Sequence, residues 1–141
     1  MACVFCQILA GASPASLVWE DAQVGALMDL RQQVPGHVLV IPRQHAETLY
    51  DLGEDTAAHA MRVAHRVARA IRDALQPAGL NLWQSNGVAA GQGVRHFHLH
   101  VHPRRHGDGL VRFYPRGLPA PLACGRLDAL AEQLRGHLAR G

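Results

Sequence analysis

The chain has 141 residues, 48% of them hydrophobic and 18% charged, enough for one domain with a buried core and too apolar for a disordered chain. Its net charge is +3 with histidine neutral, and its 14 basic residues are all arginines scattered along the chain, a pattern that disfavours duplex binding and suits a small anionic ligand. No apolar run reaches the roughly 20 residues of a membrane span, no basic leader opens the chain, and three cysteines (Cys3, Cys6, Cys124) are an odd set for a disulfide framework, so a cytoplasmic protein is expected.

Residues 17–19 and Val24–Met28 predict short strands about a turn at 20–23. Gly36 precedes the apolar run 37–41, which Pro42 ends. From 56 to 75 the period becomes helical: Met61, Ala64, Ala68, Ile71 and Leu75 recur at three and four, with Arg62, Arg66, Arg69 and Arg72 on the wet side. Asp55 or Thr56 is the expected cap, and Pro77 and Gly79 end the helix. Residues 80–85 predict a strand, and Asn86-Gly87 a hairpin turn. Residues 94–101 predict another strand, and 103–125 a loop. Leu127, Leu130, Leu134 and Leu138 predict a closing amphipathic helix. The order is that of an α+β fold with a mainly antiparallel sheet.

His96, His98, His100 and His102 alternate with Phe97, Leu99 and Val101. A strand puts residues two apart on one face, about 6.6–6.8 Å from each other, so four imidazoles share a face and three apolar side chains plug the core. Serine, threonine or lysine would serve a merely polar face equally well. A neutral imidazole is a good nucleophile near pH 7 and its conjugate acid a good proton donor, so one histidine can attack phosphorus while another handles the leaving group. Zinc held by two or three of the imidazoles is the runner-up, weakened because no carboxylate follows before Asp108. The turn at 89–93, with Gly91 and Gly93, offers backbone N–H groups to an anion. Cys3 and Cys6 alone could be half a zinc site, a redox pair or coincidence. Cys124 reads as a packed small hydrophobe, and His59, His65 and His137 as surface residues.

The run Gly91-Gln92-Gly93-Val94-Arg95-His96-Phe97-His98-Leu99-His100 resembles the signature of the histidine triad superfamily. Met28-Asp29-Leu30, Pro35-Gly36-His37, the strand ending Val40-Ile41-Pro42, and Arg43 and His45 after it are similar to that family's first half, and Cys3 to Gly11 to the N-terminus of bacterial members. The likeness covers about residues 2–106. It implies a single domain over 1–141, with a core at 2–106 and a loop and helix after it. The sheet would have about five strands, with a long central helix and a C-terminal helix. It implies cleavage at the α-phosphate of a nucleoside phosphoramidate or dinucleoside polyphosphate through a nucleotidyl-histidine. His98 would be the nucleophile, His100 the phosphate ligand that assists the leaving group, and His37 their support. Asp29 would hold the ribose, and Asn86, Gln92 and Gly93 the phosphate side. Cys3, Cys6, His45 and His96 would bind a structural zinc. The partners implied are a nucleotide, by expectation a purine, and a second copy, with helix 56–75 and strand 80–85 at the interface. A nucleotide-binding regulatory or scaffold protein, and a metal-dependent phosphohydrolase using the histidine face, are the alternatives. Gly93 stands where many relatives have a hydroxyl, and His102 where most are apolar. His98 is not glutamine, which disfavours the uridylyltransferase branch, and the stretch after Pro103 is closer to the bacterial branch than to the phosphoramidases with a tryptophan-bearing tail.

Overall fold

The computed structural model describes residues 3–110 and 113–138. They form α1 (Val4–Leu9), β1 (Leu17–Glu20), β2 (Val24–Met28), β3 (Val38–Pro42), α2 (Glu54–Leu75), β4 (Gly79–Trp83), β5 (Leu99–Arg104) and α3 (Cys124–Leu138). Short 3-10 turns lie at Leu49–Asp51 and Val88–Ala90. The five strands make one sheet in the order β1-β2-β3-β5-β4, every pairing antiparallel. This is the α+β architecture expected. The chain divides into two compact units, one ending at Gly109 and one beginning at Leu110. In the second, α3 carries Leu127, Leu130, Leu134 and Leu138, all exposed.

β3 lies at the middle of the sheet and is buried throughout, which is why its five residues are unbroken apolar with proline only at the end. α2 covers one face. Its buried side is Ala60, Val63, Ala64, Val67 and Ile71, one turn apart in pairs, so the predicted stripe is rotated: Met61 and Leu75 are exposed at its edges. The helix begins two residues earlier than its periodicity suggests. Gly53 is the N-cap, and neither Asp55 nor Thr56 caps it; Glu54 and Asp55 instead place negative charge in the first turn. Val24, Ala26, Val38, Val40, Phe97, Leu99 and Val101 pack beneath α2. On the opposite face Leu27, Leu39 and Ile41 pack against Phe5, Ile8 and Leu9 of α1, a helix that the sequence patterning did not reveal.

Four further expectations are corrected. β5 starts at Leu99 rather than 94, because β3 can pair only as far as Val40↔Leu99. Upstream the backbone leaves the ladder: His96 N–H donates to Val94 and Phe97 N–H to Ala46. β5 also runs on to Arg104, through residues read as loop, because β4 pairs with it to the end, Gly79↔Arg104. Asn86-Gly87 is not a two-residue hairpin turn, since 15 residues separate β4 from β5. Finally, His59 is no free surface group. Its Nε2 lies 2.8 Å from Asp21 Oδ2 and ties the β1–β2 turn to α2.

Gly36 is a glycine for two reasons. Its φ is +111°, and a Cβ there would strike the Leu75 side chain and lie 3.2 Å from Pro103 Cγ. The chain thereby enters β3 with His37 held against β5.

Candidate active site and metal centre

Side chains keep their alternation across the break before β5. Phe97, Leu99 and Val101 face α2, and His98, His100 and His102 the other side. That side is no wet face: His98 is 8% exposed and His102 2%. A cleft of about 610 Å³ opens over it. It is lined by His98, His100, Gly91 and Gly93, by the apolar Phe5, Ile8, Leu27 and Leu39, and by Asp29, Leu30 and Arg31. Of the residues expected to bind nucleotide, Asp29 and Gly93 therefore line the cleft. Asn86 and Gln92 do not. Asn86 Oδ1 accepts from Leu49 N–H, and Gln92 spans Gly87 N–H and the Glu47 carbonyl, so both hold the loops that build the rim.

The hydrogen bonds assign the tautomers. His98 Nδ1 lies 2.7 Å from the His96 carbonyl, which can only accept, so Nδ1 carries the proton and Nε2 keeps its lone pair. His37 Nδ1 faces the Arg31 carbonyl at 3.4 Å and Asp29 Oδ2 at 3.7 Å, two acceptors, so it too is protonated there. His37 Nε2 then accepts from His100 Nδ1–H at 2.9 Å, which leaves the lone pair of His100 on Nε2. Burial pushes His100 down to about 3, helped by His98, His37 and His102 around it. Burial also lowers His37, with His102 adding to it and Asp29 opposing. The pair is neutral near pH 7. The carboxylate missing from the neighbourhood of the histidine run is supplied by Asp29, whose ligand atom lies within 4.8 Å of those of His37 and His100.

The second cluster joins three segments. Cys3 caps α1 and Cys6 lies within it, His45 follows β3, and His96 precedes β5. Cys3 Sγ is 3.4 Å and Cys6 Sγ 3.6 Å from His96 Nδ1; His45 Nδ1 is 3.3 Å from Cys6 Sγ and 3.2 Å from His96 Nδ1. A tetrahedral zinc with bonds of about 2.0 Å to nitrogen and 2.3 Å to sulfur spaces its donors about 3.3–3.8 Å apart, so the residues fit that ion. The tautomer fits as well. His96 Nε2–H donates to the Pro42 carbonyl at 2.8 Å, turning the Nδ1 lone pair toward the thiols. Burial, with Cys3 alongside, raises the Cys6 thiol in the absence of a cation.

The two centres are linked. The carbonyl that orients His98 belongs to His96, and Phe5 of α1 sits edge-on to both rings, with centroids 5.9 and 5.2 Å away. Sequence reasoning missed Phe5, Trp83 and the burial of His102. Phe5 sits between the two cysteines and could have been paired with them; Trp83 had no signal, because its partner is 17 residues away across the sheet.

The HIT domain model matches residues 10–107. Adenosine 5'-monophosphoramidase hnt1 of Schizosaccharomyces pombe is 32% identical over 139 residues, 98% of this chain and 99% of that one. Among solved structures, a HIT family member from Bacillus subtilis superposes with a TM-score of 0.88 at 34% identity, covering 96% of both chains. A zinc-bound histidine triad family protein from Mycobacterium smegmatis gives 0.74 at 41% identity, over 97% of this chain and 98% of that one.

Proposed function

This chain belongs to the HIT domain family, and from that premise we propose that it is a nucleotide hydrolase acting through a covalent nucleotidyl-His98. The observation that carries the reading is the His98 tautomer: a backbone carbonyl accepts a hydrogen bond from Nδ1–H, holding the proton there and leaving the Nε2 lone pair of this cleft-lining residue nucleophilic. The rest of the cleft suits a nucleotide. Its apolar side chains suit a flat base, Asp29 a ribose hydroxyl, and the imidazoles and glycine backbone a phosphate.

The chemistry runs in two halves. His98 Nε2 attacks the α-phosphorus in line, and the bond to the leaving nitrogen or oxygen breaks with its electron pair. The bound phosphate raises the proton affinity of the neighbouring His37–His100 pair, so His100 Nε2 takes up a proton from solvent as substrate binds and passes it to the leaving group. Water then attacks the nucleotidyl-histidine, His100 Nε2 takes a proton from it, and His98 departs. Protons balance over the cycle. Asn86 and Gln92 act by holding the rim, and Gly93 admits the phosphate closely.

Zinc on Cys3, Cys6, His45 and His96 supplies structure and no chemistry in this reading; the Mycobacterium smegmatis relative is described as zinc-bound. Cysteines kept as thiols for metal are usual in a reducing compartment, in accord with a cytoplasmic site. The proposed catalytic core is 2–106 of a single functional domain over 1–141, of which residues 1–2, 111–112 and 139–141 lie outside the described residues. The unpaired edge of β4 and the face of α2 are proposed to meet a second copy. No helix among the described residues is long and apolar enough to cross a membrane.

The test is a panel of adenosine phosphoramidate, dinucleoside polyphosphate and adenylyl sulfate with wild type and His98→Ala, read by turnover and by intact mass after quenching. A nucleotidyl adduct on wild type, absent with His98→Ala, is expected. Binding without turnover or adduct would replace this reading with a regulatory binder. Turnover abolished by chelation with the fold intact, and restored by metal at His98 and His100, would replace it with a metalloenzyme.

A further inference from the structure

We propose that Trp83 and His102 are positioning residues of the reaction, walling in the His37–His100 pair so that its hydrogen bond and the His100 ring stay aligned. The inference rests on the hydrolase reading above. Trp83 stands directly opposite His100 in the β4–β5 ladder, and the two rings stack with centroids 4.6 Å apart and planes 16° off parallel. His102 follows on the same face, and its Nδ1–H donates to the Pro103 carbonyl at 2.7 Å, which fixes the ring. From there it lies 4.3 Å from the His37 centroid and 5.4 Å from that of Trp83. Trp83 is also 5.6 Å from His37. The pair is thus packed by two further rings, with His98 on the cleft side at 4.8 Å from His100.

The physical need is clear from the bond itself. An imidazole–imidazole hydrogen bond of 2.9 Å between rings 24° apart holds only if neither ring can turn about its χ2, a torsion with a broad, shallow preference. His37 has a second anchor, the Arg31 carbonyl and Asp29 on its Nδ1. His100 has no such anchor on Nε2, which must stay open to phosphate, so its orientation depends on the stacked indole. An apolar residue at 102, as the family resemblance leads one to expect, would leave His37 without its closest ring contact. The titratable groups facing the pair are Asp29, His98 and His102; Trp83 from β4 contributes a neutral face that also tolerates a transient imidazolium.

The experiment uses the zinc-loaded protein and the variants Trp83→Leu, Trp83→Phe and His102→Leu. Turnover of adenosine phosphoramidate is followed, and the His100 ring titration is read by NMR on the free protein. Trp83→Leu is expected to lower kcat by about 10- to 100-fold, the scale of a misplaced catalytic group, with KM changed by less than about threefold. Trp83→Phe should recover most of the loss. In both Trp83→Leu and His102→Leu the His100 midpoint should rise from its buried value toward that of an ordinary histidine. A kcat within about twofold of wild type in both leucine variants would overturn the proposal. So would an unmoved His100 midpoint, which is measured without substrate and judges the clamp even if wild type turns nothing over. Should Trp83→Leu fail to fold, His102→Leu carries the same two readouts.

Discussion

Replacing Cys3 by serine removes one of the four proposed donors and tests whether metal holds α1 against the sheet. α1 has six residues, no side-chain cap and Cys3 at its N-cap. Ordering six residues costs roughly 6–12 kcal/mol of backbone entropy. Against this stand Phe5, 7% exposed, and the partly buried Ile8 and Leu9; at about 1.5–3 kcal/mol for each large side chain they supply at most roughly 4.5–9 kcal/mol. Without metal α1 lies within a few kcal/mol of melting, whereas a structural zinc contributes on the order of 10 kcal/mol. The sheet and α2 do not depend on the site, so the loss should be local. Metal analysis of Cys3→Ser should show zinc falling from near one per chain to a small fraction, and hydrogen exchange should show protection lost over residues 4–9 while β3 and α2 keep theirs. AMP affinity measured by calorimetry should drop by about 10-fold or more, since Val4, Phe5 and Ile8 wall the cleft. Unchanged zinc would refute the ligand set. Zinc lost with α1 still protected would refute the argument that metal, rather than packing, orders the helix.

Other outcomes follow from the same contacts. Gly36→Ala adds a Cβ at φ +111° against Leu75 and Pro103, a cost of about 1–3 kcal/mol, so Tm should fall by several degrees; a shift under about one degree would contradict it. Burial alone would raise Asp21, but bonds from Trp19, His59, Val24 and Gln23 outweigh it and hold the carboxyl well below the usual range. That contribution is fully present above the unfolded value near 3.9 and is lost as pH falls toward the lower folded value. The melting difference between wild type and Asp21→Asn should therefore be constant from neutrality to about pH 4 and shrink below it; a difference that grows in acid would be inconsistent. A Cβ at Gly93 meets nothing within 4 Å. Gly93→Ser should thus fold normally and, by adding a hydroxyl to the cleft lining where the proposed phosphate would sit, lower KM by about two- to fivefold; an unchanged KM would place the phosphate elsewhere.

What could be learned from the residues in order was whatever depends on short periods. Alternation from His96 to His102 marks one face from the other because Cβ atoms in extended backbone alternate, and that held even where residues 96–98 left the ladder. The three-and-four spacing in α2 survived with its face turned by about a residue, since apolar period locates a helix more firmly than its exact buried line. The four zinc-site residues could be grouped only through family likeness, as 93 positions separate Cys3 from His96.

The tertiary structure decided the rest, because the deciding contacts cross between elements. Where β5 begins depends on where β3 stops offering partners. Which nitrogen of His98 keeps its lone pair depends on a carbonyl aimed at Nδ1, and the state of His100 on His37 and the acceptors behind it. Trp83 meets His100 only through strand register, and Asp29 reaches His37 only because β2 and β3 pair beside it. Composition and spacing determine that this chain carries an imidazole face. The chemistry of each ring is set by which hydrogen-bond acceptor the fold brings to it, and a linear pattern holds no record of that.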